Sequence, residues 1–164
     1  MHQTFTITEI HCENYRTKTL VFDRSLPSEP GQFVMAWLPT IDERPYSIAG
    51  ADPFSMTVVA VGPFSEALHA LQLGDRVWIR GPLGQGFRLP AQVAGEYILL
   101  AGGGYGVAPL CFLAQRAVRR SKAEDLQLQG EASHLHAPQQ NCIVGHLCLC
   151  PVEQRIHLLD NGPF

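Results

Sequence analysis

Arg44, Pro45, Tyr46 and Ser47 stand in a row in the stretch "IDERPYSIAGADP". A guanidinium is a planar cationic fork that pairs with phosphate, and a phenol ring can lie on a flat heterocycle. The Ser47 hydroxyl can reach a ring nitrogen, so the four residues suit a flat, phosphorylated ligand; an ordinary strand edge is the alternative. Further on, "VGPFSEAL" puts Ser65 and the N–H groups after it at the start of a helical pattern, a second place for phosphate. In "LLAGGGYGVAP", Gly102, Gly103, Gly104 and Gly106 lie between an apolar run and a helix-forming segment. Unblocked backbone N–H groups there can cradle a pyrophosphate, and a tight turn packing helix on strand is the other reading. The glycines are out of register with G-x-G-x-x-G, because Val107 stands where the third should be. Cys142, Cys148 and Cys150 cluster near the end, a pattern that in a reducing compartment points to metal or cluster ligation before disulfides.

These residues need a scaffold, and composition provides for one. A hydrophobic content of 46% against 16% charged residues is that of a globular chain with a core. A net charge of −3 without Lys/Arg blocks gives no field for nucleic acid or a membrane surface. No apolar run reaches membrane-spanning length, and "MHQTFTITEI" lacks the basic-then-apolar order of a signal peptide, so a cytoplasmic location is expected. Cys12 and Cys111 are isolated and read as buried small hydrophobes.

Six short strand patterns fill residues 3–95: "TFTITEI", "YRTKTLVFD", "GQFVMAWLP", "RPYSIAG", "SMTVVAVG" and "DRVWIRGPLG", separated by Gly/Pro turns. This predicts a mainly β fold, a small antiparallel barrel or sandwich. Phe64, Ala67, Leu68 and Leu71 fall at helical spacing between the last two strands, with Gly74 where a C-terminal cap would stand. At residue 97 the pattern becomes "YILL", a glycine turn and a helix, which reads as a buried parallel strand opening an α/β unit. After Leu113 only 51 residues remain, whereas each further βα unit takes roughly 25 to 30, so a complete second domain does not fit.

"ERPYSIAG", "VGPFSEALHALQLGDRVWIRGPLGQGF" and "YILLAGGGYGVAPL", in that order and spacing, resemble the ferredoxin–NADP reductase superfamily. Within it they are most similar to the dihydroorotate dehydrogenase electron-transfer subunits, over residues 3 to about 118. The resemblance implies a six-stranded flavin barrel followed by a nicotinamide-nucleotide domain. It implies that Arg44, Pro45, Tyr46 and Ser47 form a flavin clamp: Arg44 on the pyrophosphate of FAD, Tyr46 on the isoalloxazine, Ser47 near its N5. Gly62 and Ser65 would match a second phosphate loop, and Gly102, Gly103, Gly104 and Gly106, with Ala108 and Pro109, the NAD loop. It further implies a heteromer with a catalytic oxidoreductase subunit, whose flavin passes electrons through a [2Fe–2S] cluster to FAD and on to NAD in pyrimidine biosynthesis. Two rival expectations are a non-enzymatic partner-binding barrel with vestigial motifs, and a subunit of a sulfhydrogenase- or sulfite-reductase-type enzyme.

The tail departs from the family. Its cluster loop has the order C-x4-C-x2-C with a fourth cysteine, whereas this chain has C-x5-C-x1-C and no cysteine after Cys150. Three outcomes stay open for Cys142, Cys148 and Cys150: no metal, which is preferred, a [2Fe–2S] cluster, or zinc with His146 or His157 as nitrogen ligand. The expected layout is a flavin-binding barrel over 1–95, a remnant nucleotide-binding α/β unit over 96–118, a linker over 119–141 and a degenerate iron–sulfur-like tail over 142–164. The linker is expected to be partly disordered or to pack on another subunit. The NAD site would be impaired by the missing body of its domain.

Overall fold

Residues 3–83 form six strands because apolar side chains alternate with polar ones along most of them. In order these are β1 (Gln3–Asn14), β2 (Thr17–Phe22), β3 (Phe33–Leu38), β4 (Asp42–Ala51), β5 (Phe54–Val59) and β6 (Arg76–Leu83). Val34, Ala36 and Leu38 of β3 and Phe54, Met56 and Val58 of β5 are buried at every second position, a period of two that gives a sheet one inner face. All pairings are antiparallel, and the sheet closes as β1-β2-β5-β4-β3-β6, the barrel expected from the sequence. Closure gives every strand a partner on both sides over part of its length. Irregular register in β1, between Ile7 and Glu9 and between Cys12 and Asn14, bends that long strand around the barrel.

The computed structural model describes residues 1–88, 97–100, 106–128, 148–151 and 157–158, in two units, Met1–Arg88 and Leu89–Phe164. Phe5, Phe22 and Phe54 centre the barrel core, with ring centroids 4.9 to 6.0 Å apart. Each such buried ring contributes about 1.5–3 kcal/mol from removal of apolar surface from water.

Helix α1 (Pro63–Ala70) lies between β5 and β6 and buries Phe64 and Leu68, two of the residues that the helical spacing picked out. It ends sooner than the sequence suggests. Leu71 is the cap residue, and Gly74 belongs to the following turn, at φ +89°, with its N–H donating to Ile7 O at 2.9 Å. That left-handed conformation favours glycine, and it starts the return into β6.

In the second unit β7 (Tyr97–Leu100) precedes helix α2 (Val107–Leu128), followed by β8 (Cys148–Pro151) and β9 (His157–Leu158). The strand–helix order is as expected, but the pairing corrects the parallel expectation: β7 runs antiparallel to β8, from Tyr97 opposite Pro151 to Leu100 opposite Cys148. A parallel partner would require a crossover unit, and here the partner comes from the tail. Helix α2 passes the 118 boundary, so residues 119–128 are helical; the rest of the expected linker, 129–141, lies outside the described residues. Cys12 is exposed and Cys111 half-buried, which corrects their reading as buried hydrophobes.

Candidate functional site

Ile48, Tyr46 and Arg44 share one pleat face of β4, and exposure rises along it. Ile48 is in the core, Tyr46 is half-buried and Arg44 is exposed. The face thus runs out of the barrel interior carrying first a ring and then a cation. Pro45 and Ser47, both exposed, are on the other face, opposite Met35 and Phe33 of β3. The structure therefore brings Arg44 and Tyr46 together and separates Ser47 from them by the pleat.

The two edges of β4 differ. Its ladder with β3 covers Asp42 to Ser47, while its ladder with β5 starts only at Ile48, opposite Met56. Among the described residues, no strand pairs with the edge toward β5 from Asp42 to Ser47. The Ile48 N–H donates to Gln32 O at 3.1 Å, and this sets the alternation so that Glu43, Pro45 and Ser47 turn their main-chain groups to the open edge. The Glu43 N–H is taken by Asp42 Oδ1 at 2.8 Å, and proline has none. Ser47 carries the remaining N–H on that edge. What Ser47 offers a ligand is thus a main-chain donor as well as a hydroxyl.

Helix α1 faces this opening through Phe64, whose ring lies 6.2 Å from that of Tyr46 at an angle of 34°. Burial pushes the Tyr46 phenol above its ordinary range, and the Arg44 cation opposes only part of that shift. The ring is therefore a neutral, apolar surface at neutral pH. Arg44 is ion-paired with Asp42, two residues back on the same pleat face.

Ser65 is buried, and its hydroxyl is fully occupied. Oγ accepts from the N–H groups of Val61 and Gly62, each at 3.0 Å, and donates to Gly62 O at 2.9 Å. The side chain staples the loop into α1, so any ligand contact at this turn falls to backbone N–H groups. Gly62 is extended, and nothing lies within 4 Å of where a Cβ would be, so the fold does not itself require glycine there. The space over it is open to a ligand.

Gly106 is likewise exposed with open space over it, while Gly102, Gly103, Gly104 and Cys142 lie outside the described residues. Cys148 and Cys150 fall two apart on β8, opposite Leu100 and Ile98. Among the described residues no group of three or more His, Cys, Asp or Glu is placed to hold a metal ion. No described helix is long and apolar enough to cross a membrane. Asp42 and Phe64 join the candidate site although sequence reasoning did not place them in it, Phe64 having been read only as part of the apolar face of α1. Asp42 had a usable signal, a carboxylate two residues from Arg44 on a strand; Phe64 had none, because its nearness to Tyr46 is a tertiary event.

Over 116 residues the chain is 41% identical to the probable dihydroorotate dehydrogenase B (NAD(+)) electron transfer subunit of Thermococcus kodakarensis, covering 71% of this chain and 47% of that protein. Over 94 residues it is 48% identical to the protein of the same name from Pyrococcus abyssi, covering 57% of this chain and 36% of that one. The chain is a homologue of these subunits. It spans less than half the length of the curated relatives it matches. Among solved structures, Amycolatopsis cytochrome P450 reductase GcoB superposes with a TM-score of 0.59 at 29% identity, over 73% of this chain and 41% of that one. A ferredoxin NADP+ reductase from Neisseria gonorrhoeae, with bound FAD and NADP, gives 0.55 at 21% identity, over 73% and 53%. The homologue thus has the ferredoxin–NADP reductase-type fold that its motifs led one to expect. No family model matches it.

Proposed function

We propose that this homologue is the flavin-binding part of an electron-transfer subunit, with FAD held between the open edge of β4 and the first turn of α1. The observation that carries the proposal is the join of Tyr46 and Arg44 on one outward-running face with an edge left unpaired beside it. Tyr46 offers its face to the isoalloxazine, and the Ser47 N–H and hydroxyl meet the ring edge. Arg44 leaves Asp42 for the pyrophosphate, with the Phe64 N–H in the first turn of α1, beside the open space at Gly62, as a second phosphate contact. An exposed ion pair is worth about 0–1 kcal/mol, so a doubly charged pyrophosphate displaces Asp42 readily. Bound flavin would supply the redox chemistry; the protein supplies binding, orientation and exclusion of water from one ring face.

The partner in this proposal is a catalytic oxidoreductase subunit of the dihydroorotate dehydrogenase type, in the cytoplasm, with NAD as the distant acceptor through Gly102, Gly103, Gly104 and Gly106. Cys142, Cys148 and Cys150 are one thiolate short of a four-cysteine cluster, and no electron path is assigned to them. The relatives' names support this reading over the rival enzyme types. The test is reconstitution with FAD followed by desalting. Retained flavin absorption, with FAD affinity weakened in Tyr46→Ala, supports the proposal, and a colourless protein would favour a partner-binding barrel without cofactor.

A further inference from the structure

Helix α1 has eight residues, too few to be stable alone, so what fixes it also fixes the Phe64 ring and the turn over Gly62. Two buried side chains, Phe64 and Leu68, provide an apolar seat. The polar fastenings both come from the β1–β2 hairpin, remote in sequence. At the C-terminal end, Lys18 Nζ donates to His69 O at 2.7 Å, a cation on one of the helix's orphan carbonyls. At the N-terminal side, the Arg16 guanidinium donates twice to Ala60 O, from Nε at 3.3 Å and Nη2 at 3.0 Å. The Ala60 N–H returns a bond to Arg16 O at 2.9 Å. Arg16 is set in turn by Asn14, whose Oδ1 accepts its N–H at 3.0 Å. The His69 ring does not share the load, for its Nε2 is buried without a partner.

We infer that Lys18 and Arg16 are positioning residues of the flavin site, which brace α1 at both ends and thereby hold its first turn at the distance from Tyr46 that a flavin phosphate requires. The inference rests on the flavin reading above. Neither residue is on β4, so each acts through the helix.

The experiment compares FAD with riboflavin, which has the ring and no phosphate, by flavin fluorescence titration of the full chain. Wild type is measured first. If it binds neither flavin, the flavin reading fails and this inference with it. If wild type binds, Lys18→Met is expected to weaken FAD about tenfold, with riboflavin changed less than about threefold and Lys18→Arg restoring FAD to within about threefold of wild type. Arg16→Met, an exposed change that leaves the core untouched, is expected to act in the same direction and serves as the test should Lys18→Met fail to fold. Unchanged FAD affinity would overturn the inference, as would an equal loss for both flavins, which is what general destabilisation produces.

Discussion

Tyr46 and Arg44 take different parts of the proposed ligand, so single substitutions should separate them. Arg44→Ala removes charge-assisted bonds worth about 1.5–3 kcal/mol, and FAD affinity is expected to fall about tenfold to a hundredfold with little change for riboflavin. Tyr46→Ala removes a stacking surface worth about 0.5–1.5 kcal/mol, roughly twofold to twelvefold, and should weaken both flavins alike. Isothermal titration of each variant with each flavin checks the pattern. His69 yields a pH prediction. Burial first, and the Lys18 cation second, lower its pKa from the ordinary 6.5. Lys18 is the charge facing it from β2, β5 brings none, and Glu66 is its acidic neighbour one turn back on α1. The unfolded chain therefore takes up a proton near pH 6.5 that the folded chain refuses. This group costs nothing above that pH and removes stability as the pH falls from 6.5 toward the lowered value. Denaturant midpoints from pH 7.5 down to 5 should fall in wild type and less in His69→Gln; an identical slope in both would refute the assignment.

At the scale of elements, the candidate site arises because β4 is longer than its pairing with β5. Phe54→Ala, in the strand that pairs with the inner half of β4, is expected to cost about 3–5 kcal/mol, read from urea unfolding. Ser65→Ala should cost about 0.5–1.5 kcal/mol, since it removes the hydroxyl that closes the loop into α1 through the Val61 and Gly62 N–H groups. Most of the barrel could be read from residues 3–83, because alternation of apolar side chains is a local property and each strand carries its own. The helix was equally readable from Phe64 and Leu68. What escaped were pairings between distant segments. Nothing local says that the ladder opens at Ile48, that the tail at Cys148–Pro151 supplies the partner of β7, or that Gly74 answers to Ile7 rather than to the helix. The occupied hydroxyl of Ser65 escaped for the same reason: its partners are backbone groups whose placement depends on how the loop closes.

For the whole molecule, the two units carry unequal parts of the proposed function. The proposed flavin contacts all lie within Met1–Arg88, and the proposed nicotinamide loop within Leu89–Phe164, where the described elements are three short strands and one helix. With only those described elements to orient a nicotinamide, FAD-loaded protein is expected to oxidise NADH negligibly, followed as loss of absorbance under air. Rapid turnover would show that the second unit orients the dinucleotide after all. The most direct test of the central claim remains the visible spectrum of the purified chain, taken as isolated and again after incubation with FAD and desalting. The account predicts oxidised-flavin bands retained at about one FAD per chain after desalting. A spectrum blank in both states would contradict it, and would mean that the open edge of β4 serves something other than a flavin.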